Sequence, residues 1–152
     1  MHKLKTTISY EYAHRLYDVA TYSEECRNNI HGHSGYLTVV VGRKTLNEAG
    51  MVIDFKLLKK ILKECIEDVY DHSCILKSTD PISGTIVNNC NKVHIVGENP
   101  TAEWMAKHFY EAIQSELNKV DPHVVVTSVE VQETDRNIAI YELEDPIDES
   151  DS

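Results

Sequence analysis

Long apolar runs are absent from this sequence of 152 residues. Its longest uninterrupted ones span three or four residues, and even Leu37 to Val41 is broken by Thr38. A membrane-spanning helix needs ~20, so none is expected. The N-terminus, Met1-His2-Lys3-Leu4, lacks the long apolar core of a secretion signal, so a cytoplasmic location is expected. Basic residues are scarce: 15 Lys and Arg stand against 25 Asp and Glu, for a net charge of −10. That balance excludes a general nucleic-acid binder, because phosphate affinity needs a basic surface. The four cysteines, Cys26, Cys65, Cys74 and Cys90, form no CxxC pair. Neither a zinc knuckle nor a thioredoxin-like site is therefore expected, and an even count suits disulfides only in a secreted chain. No internal repeat and no interdomain linker interrupts the chain.

What is present is ordinary for one folded domain: 41% hydrophobic and 26% charged residues at a length typical of a single core. The charge is uneven. Residues 142–152 hold Glu142, Glu144, Asp145, Asp148, Glu149 and Asp151 with no Lys or Arg, leaving a net −4 on the other 141 residues. Residues 1–143 are read as the folded domain and 144–152 as an acidic, disordered tail.

Periodicity orders the elements. Ile8, Tyr10 and Tyr12 alternate with polar positions in residues 4–12, and residues 36–43 are β-rich, so both read as strands. Asn47 to Gly50 reads as a turn, with Met51 to Asp54 continuing the sheet. In residues 55–70, Phe55, Leu58, Leu62, Cys65, Ile66 and Val69 share one helical face, which makes Cys65 a small core residue. Residues 73–99 read as a long irregular stretch with a short strand at Val93–Val96. A second helix begins at Asn99-Pro100, with Asn99 as cap, Pro100 at the first position and Glu103 favouring the dipole. Val124 to Glu133 and Asn137 to Tyr141 form a hairpin. Strands grouped apart from helices give an α+β class, an antiparallel sheet with helices on one face.

Four features carry chemistry. His31-Gly32-His33 at a strand entrance puts two imidazoles on one side, and His14, ending the neighbouring strand, supplies a third. Three protein ligands and one open position describe a catalytic zinc site; two strand-end histidines without a metal are the plainer alternative. Cys26, five residues before His31, is a base or nucleophile if a metal and cations lower its pKa, and otherwise a loop cysteine. Asp71-His72 follows the first helix, where a carboxylate can orient an imidazole for proton transfer; a helix C-terminus also favours a cationic His with no catalytic purpose. Glu133, at a strand end, can accept two parallel N–H groups such as a guanine-like or pterin ring presents, or is simply solvated.

Six motifs stand in order: Tyr12-Ala13-His14-Arg15-Leu16, Cys26 with His31-Gly32-His33, Met51-Val52-Ile53-Asp54-Phe55, Asp71-His72, Asn99-Pro100-Thr101-Ala102-Glu103, and Glu133-Thr134. Together they resemble the 6-pyruvoyltetrahydropterin synthase and 6-carboxytetrahydropterin synthase (QueD) family over residues 3–143. The resemblance implies the tunnelling fold: a four-stranded antiparallel sheet with two helices on one face, its strands forming a central barrel. It implies a homohexamer of two trimers with active sites between subunits. It implies zinc on His14, His31 and His33, catalysis by Cys26 with the Asp71-His72 dyad, and pterin anchoring by Glu133 beside a segment that includes Thr101. The implied substrate is 7,8-dihydroneopterin triphosphate, a small molecule; no nucleic acid or membrane partner is implied.

The subfamily is divided. Ser23 to Arg27 and the 99–103 helix start resemble the carboxy enzymes, which form 6-carboxytetrahydropterin, acetaldehyde and triphosphate on the route to queuosine. Glu133 to Ile138 resembles the pyruvoyl enzymes. Four residues separate Cys26 from His31, between the spacings typical of the two groups, and Glu24 and Glu25 are near enough to act as substitute bases. The carboxy product is preferred. A non-catalytic pterin-binding protein and a zinc hydrolase working without Cys26 are the competing classes. Arg15, Arg27 and Arg136 are the candidate cations for the triphosphate, which this acidic chain must meet locally.

Overall fold

The computed structural model describes residues 1–20 and 23–144. The acidic tail expected at 144–152 therefore lies outside the described residues except for Glu144. Among the described residues no helix is long and apolar enough to cross a membrane.

Strand β1 (His2–His14) and strand β2 (His31–Arg43) pair antiparallel along their full lengths. Strand β5 (Val125–Gln132) lies against β2, and β6 (Ile138–Glu142) against β5, both antiparallel. These four match the expected antiparallel set, but the sheet is larger. Strands β3 (Ser73–Lys77) and β4 (Val93–Val96) add to the other edge of β1 in parallel, giving a mixed six-stranded sheet ordered β4-β3-β1-β2-β5-β6. The four-stranded antiparallel expectation is corrected accordingly. The reason lies in β3, whose buried Ile75 and Leu76 are consecutive. A parallel strand covered on both faces reads as an apolar run without alternation. The supposed irregular stretch also holds helix α4 (Ser83–Asn89).

One face of the sheet carries the core. Tyr10, Tyr12, Leu37, Val39, Val41, Val129 and Val131 bury against Leu58, Ile61, Leu62 and Ile66 of the first long helix. The same cluster takes in Met105, Phe109, Ile113 and Leu117 of the last helix. The alternate residues of β1, from Lys3 and Lys5 to Thr7, Ser9 and Glu11, are exposed. On that polar face the Thr7 and Thr38 hydroxyls hydrogen-bond at 2.8 Å. The helices therefore sit on one side, as the pattern of alternation requires.

The first long helix runs as α2 (Phe55–Leu62), a π-helical turn at Lys63–Glu67 and α3 (Asp68–Tyr70). Met51 to Asp54 does not extend the sheet. Gly50, at φ +75°, closes the turn with its N–H to Asn47 O at 2.9 Å, a conformation glycine adopts without strain. Asp54 then caps α2, its Oδ1 accepting from Lys56 N at 2.7 Å. Phe55, expected on the apolar face, is 50% exposed, because at the first turn it projects beyond the core. Cys65 is half-buried against the core, its thiol pushed up to about 11 chiefly by burial. Helix α5 (Ala102–Val120) is capped by Thr101, not Asn99: Thr101 Oγ1 accepts from Trp104 N at 3.1 Å. The Asn99 side chain turns instead to Asp18, its Nδ2 donating to Oδ1 at 2.9 Å. The short helix α1 (Glu24–Asn28) links β1 to β2.

Candidate metal and catalytic site

The register of β1 against β2 builds the site. His14 lies opposite His31, and Tyr12 opposite His33, so all four side chains share the core face at one end of the sheet. The three imidazole rings stand 4.6 to 5.0 Å apart between centroids. One ring nitrogen from each lies within 4.8 Å of the others.

Backbone carbonyls set the rings. His14 Nδ1 lies 2.7 Å from Pro100 O, and His31 Nδ1 lies 3.0 Å from Asn29 O. A carbonyl only accepts, so each Nδ1 carries a proton and each Nε2 is the nitrogen turned to the shared space. Such outer bonds orient histidine ligands in metal sites. His33 Nε2 is buried without a hydrogen-bond partner. It is 3.4 Å from Glu133 Oε1 but not aligned with it as a donor. Burial first of all holds the His33 imidazole below its ordinary value, which favours the neutral, ligating form. An orphaned buried nitrogen within a three-imidazole donor set fits a transition metal ion.

Glu133 joins this cluster. Its Oε1 lies 3.2 Å from His14 Nε2 and accepts from the Tyr12 hydroxyl at 3.3 Å. The His14 bond is the largest influence holding its carboxyl below the ordinary range, against the opposing effect of burial. From the sequence, Tyr12 has a place in β1 and in the Tyr12-to-Leu16 motif but no role in the site. Its period-two spacing from His14 was the available signal that it points into the site. Pro100 O and Asn29 O carried no side-chain signal at all.

Asp71 and His72 do touch: Asp71 Oδ2 and His72 Nδ1 are 2.8 Å apart. Asp71 Oδ1 accepts from Glu11 N at 2.7 Å, and that bond, first among its influences, lowers the Asp71 pKa. His72 has φ +59°, unusual for a non-glycine residue, and its backbone N–H donates to Glu11 O at 2.6 Å. The dyad is thus pinned to β1 in a strained turn, with the His72 side chain 79% exposed. His72 lines an open cleft of about 670 Å³ with Glu11, Ser34 and Lys92, and Tyr12 and His33 border the same cleft. Glu11 and Ser34 belong to the polar face, opposite the side chains of Tyr12 and His14.

The other expected residues are less tightly gathered. Cys26 sits half-buried in α1, and its carbonyl accepts from Leu16 N at 2.9 Å. Among the described residues no hydrogen bond or ion pair joins Cys26 or the dyad to the three histidines. The Thr101 hydroxyl is used as the helix cap, while the neighbouring Pro100 carbonyl faces His14. Arg15 is not a free cation. It makes a two-pronged ion pair with buried Asp80. Arg27 pairs loosely with Glu24 at 4.0 Å.

An α+β sheet carrying a three-histidine metal pocket, with a carboxylate and an acid–imidazole dyad nearby, defines a candidate metal-dependent lyase or hydrolase. Comparison with known proteins narrows this class. The family model for 6-pyruvoyl tetrahydropterin synthase matches residues 3–144, and the chain belongs to that family. It is 33% identical over 136 residues to a protein of Rickettsia conorii named 6-carboxy-5,6,7,8-tetrahydropterin synthase, covering 88% of this chain and 95% of the relative. It is 32% identical over 145 residues to the human 6-pyruvoyl tetrahydrobiopterin synthase, covering 90% and 88%. The solved structure of Caenorhabditis elegans 6-pyruvoyl tetrahydropterin synthase has the same fold. Its TM-score is 0.68 at 24% identity, over 94% of this chain and 96% of that one.

Proposed function

We propose that this protein is a zinc-dependent, cytoplasmic 6-carboxytetrahydropterin synthase. It converts 7,8-dihydroneopterin triphosphate to 6-carboxytetrahydropterin, acetaldehyde and triphosphate. The observation that carries the reading is the convergence of His14, His31 and His33 with Glu133 at one end of the sheet. Relatives carrying the carboxy name support the product. Four unpaired cysteines suit a reducing compartment.

The chemistry that zinc supplies when held by the three histidines is Lewis-acid polarisation of a substrate oxygen, which acidifies the neighbouring C–H. The chain's own groups do the rest. Glu133, kept ionised, accepts the two parallel N–H groups of the pterin ring. The Cys26 thiolate removes a proton from the substrate side chain. His72 moves protons on the other side, with Asp71 fixing its tautomer by accepting from Nδ1. The cleft that His72 lines is also bordered by Tyr12 and by His33 of the triad. Active sites between the subunits of a hexamer are carried over from the family resemblance alone.

A product assay tests this. Zinc-loaded protein is mixed with 7,8-dihydroneopterin triphosphate, and pterins and acetaldehyde are followed by mass spectrometry. The expected result is 6-carboxytetrahydropterin with equimolar acetaldehyde. Pyruvoyltetrahydropterin without acetaldehyde overturns the carboxy assignment in favour of the pyruvoyl enzyme. Binding without turnover makes the chain a non-catalytic pterin binder.

A further inference from the structure

Helix α1 carries Cys26 but is poorly equipped to hold it. It has five residues and buries none of them. So short a helix does not persist by its own hydrogen bonds. Its place must come from outside, and the structure supplies two attachments from the two residues that follow His14. Leu16 N donates to Cys26 O at 2.9 Å. Arg15 Nη1 donates to Asn28 O at 3.3 Å.

Arg15 is itself anchored. Its Nε donates to Asp80 Oδ2 at 2.7 Å and its Nη2 to Asp80 Oδ1 at 2.5 Å. The Asp80 side chain is fully buried, and that of Arg15 is 11% exposed. Asp80 Oδ1 also accepts from Ile82 N at 3.0 Å, and Asp80 N donates to Lys77 O at 2.9 Å. A rigid guanidinium fork matched to a buried carboxylate fixes geometry in a way a single lysine contact does not. The same loop has a second tie, since Lys77 Nζ donates to Asp18 Oδ2 at 2.7 Å. The chain from the end of β3 through Asp80 and Arg15 to α1 is therefore continuous.

We propose that the buried Arg15–Asp80 pair is a positioning device that sets the Cys26 helix against the histidine site. It rests on the reading of Cys26 as the catalytic base, and it assigns Arg15 to placement, not to the triphosphate. Neither residue touches the reacting atoms.

The test uses the full-length, zinc-loaded protein with Asp80→Asn and, because that change strands a buried guanidinium, Arg15→Lys as a second variant. Lys keeps a positive charge toward Asp80 but cannot also reach the Asn28 carbonyl. Zinc content and size in solution are checked first. Each cysteine is then followed by its rate of iodoacetamide labelling, resolved by peptide mass spectrometry. Cys26 labelling should change several-fold in both variants while Cys65, which neither Arg15 nor Asp80 influences, stays as in the parent. The kcat should fall by roughly 10²-fold, the scale of an ångström misplacement, with KM within about twofold. Unchanged Cys26 labelling, or labelling that rises equally at all the cysteines, overturns the clamp. A rise in KM for Arg15→Lys with kcat preserved also overturns it and makes Arg15 a triphosphate ligand. Selective relabelling with kcat intact, together with a fully active Cys26→Ala, supports the clamp and overturns the base assignment instead.

Discussion

His14 donates its Nδ1 proton to the carbonyl oxygen of Pro100 at 2.7 Å, joining the last residue of β1 to the approach of α5. The imidazole is 2% exposed. A buried ring oriented by main chain, not by another side chain, has its Nε2 aimed by the fold itself. The Asn99-Pro100 step thus contributes a carbonyl to the candidate metal site as well as leading into the helix.

The histidines should separate into two groups by metal binding. His14→Ala, His31→Ala and His33→Ala should each lower bound zinc well below one ion per chain after dialysis. His94 and His108 are engaged elsewhere, His94 Nε2 with Val69 O and His108 Nε2 with the Tyr70 hydroxyl. His94→Ala and His108→Ala should keep full occupancy. Inductively coupled plasma mass spectrometry decides it; equal losses in both groups would refute the site.

Removing one oxygen should isolate the work of Tyr12. Tyr12→Phe keeps the ring that packs beside His14 and His33, at 5.3 and 5.5 Å between centroids, and deletes only the donor to Glu133. A hydrogen bond to a charged acceptor is worth about 1.5–3 kcal/mol. KM for the pterin substrate should rise about tenfold, with zinc content unchanged. Steady-state kinetics with parallel metal analysis measures both, and an unchanged KM would remove Tyr12 from the pterin end of the site.

Gly35 should be intolerant of a methyl group. A Cβ there would lie 3.0 Å from Tyr10 Cζ and 3.0 Å from Tyr12 Cε1, and those two rings are stacked at 5.1 Å. Gly35 pairs with Tyr10 across the strands, so the backbone cannot retreat without disturbing the ladder. Overpacking of this kind costs about 1–3 kcal/mol. Gly35→Ala should lower the urea midpoint with an unchanged slope, and a midpoint equal to the parent's would show that the rings yield freely.

The legible parts of the sequence are those where a side chain both packs and signals. Tyr10, Tyr12 and His14 share the core side of β1, and their period of two marks that strand and one candidate ligand. His31-Gly32-His33 marks the other two candidates in the same way. What escaped was mostly carried by backbone or by burial on two faces. Ile75 and Leu76 show no alternation because β3 is covered on both sides. Pro100 O and Asn29 O act through atoms every residue possesses. Arg15 looked like a cation for substrate because its acidic partner, Asp80, is 65 residues away. Asp71-His72 was ambiguous in sequence because neighbouring side chains need not meet; the positive φ at His72 accompanies a turn in which they do.

The pH dependence of stability should carry a signature of His108. Its Nε2 is 2.7 Å from the Tyr70 hydroxyl, and its ring stacks on Trp104 at 4.6 Å. Burial, the largest influence, lowers its pKa, reinforced by His94 and opposed by Glu111. The folded protein therefore prefers the neutral ring, which accepts the tyrosine proton at Nε2. An unfolded histidine titrates near ~6.5. Below that value the unfolded chain gains a proton that the folded ring still refuses, so stability falls as pH drops. The contribution is complete above ~6.5 and is lost progressively as pH falls toward the lower folded value. The difference between two proteins that differ only at this residue is the informative quantity. His108→Gln keeps an amide within reach of Tyr70 and cannot titrate. Melting temperatures of parent and variant, each free of metal, should converge as pH is lowered from 7.5 to 5.5, windows chosen to bracket ~6.5. Parallel curves would mean that Tyr70 and His108 form a contact indifferent to protonation.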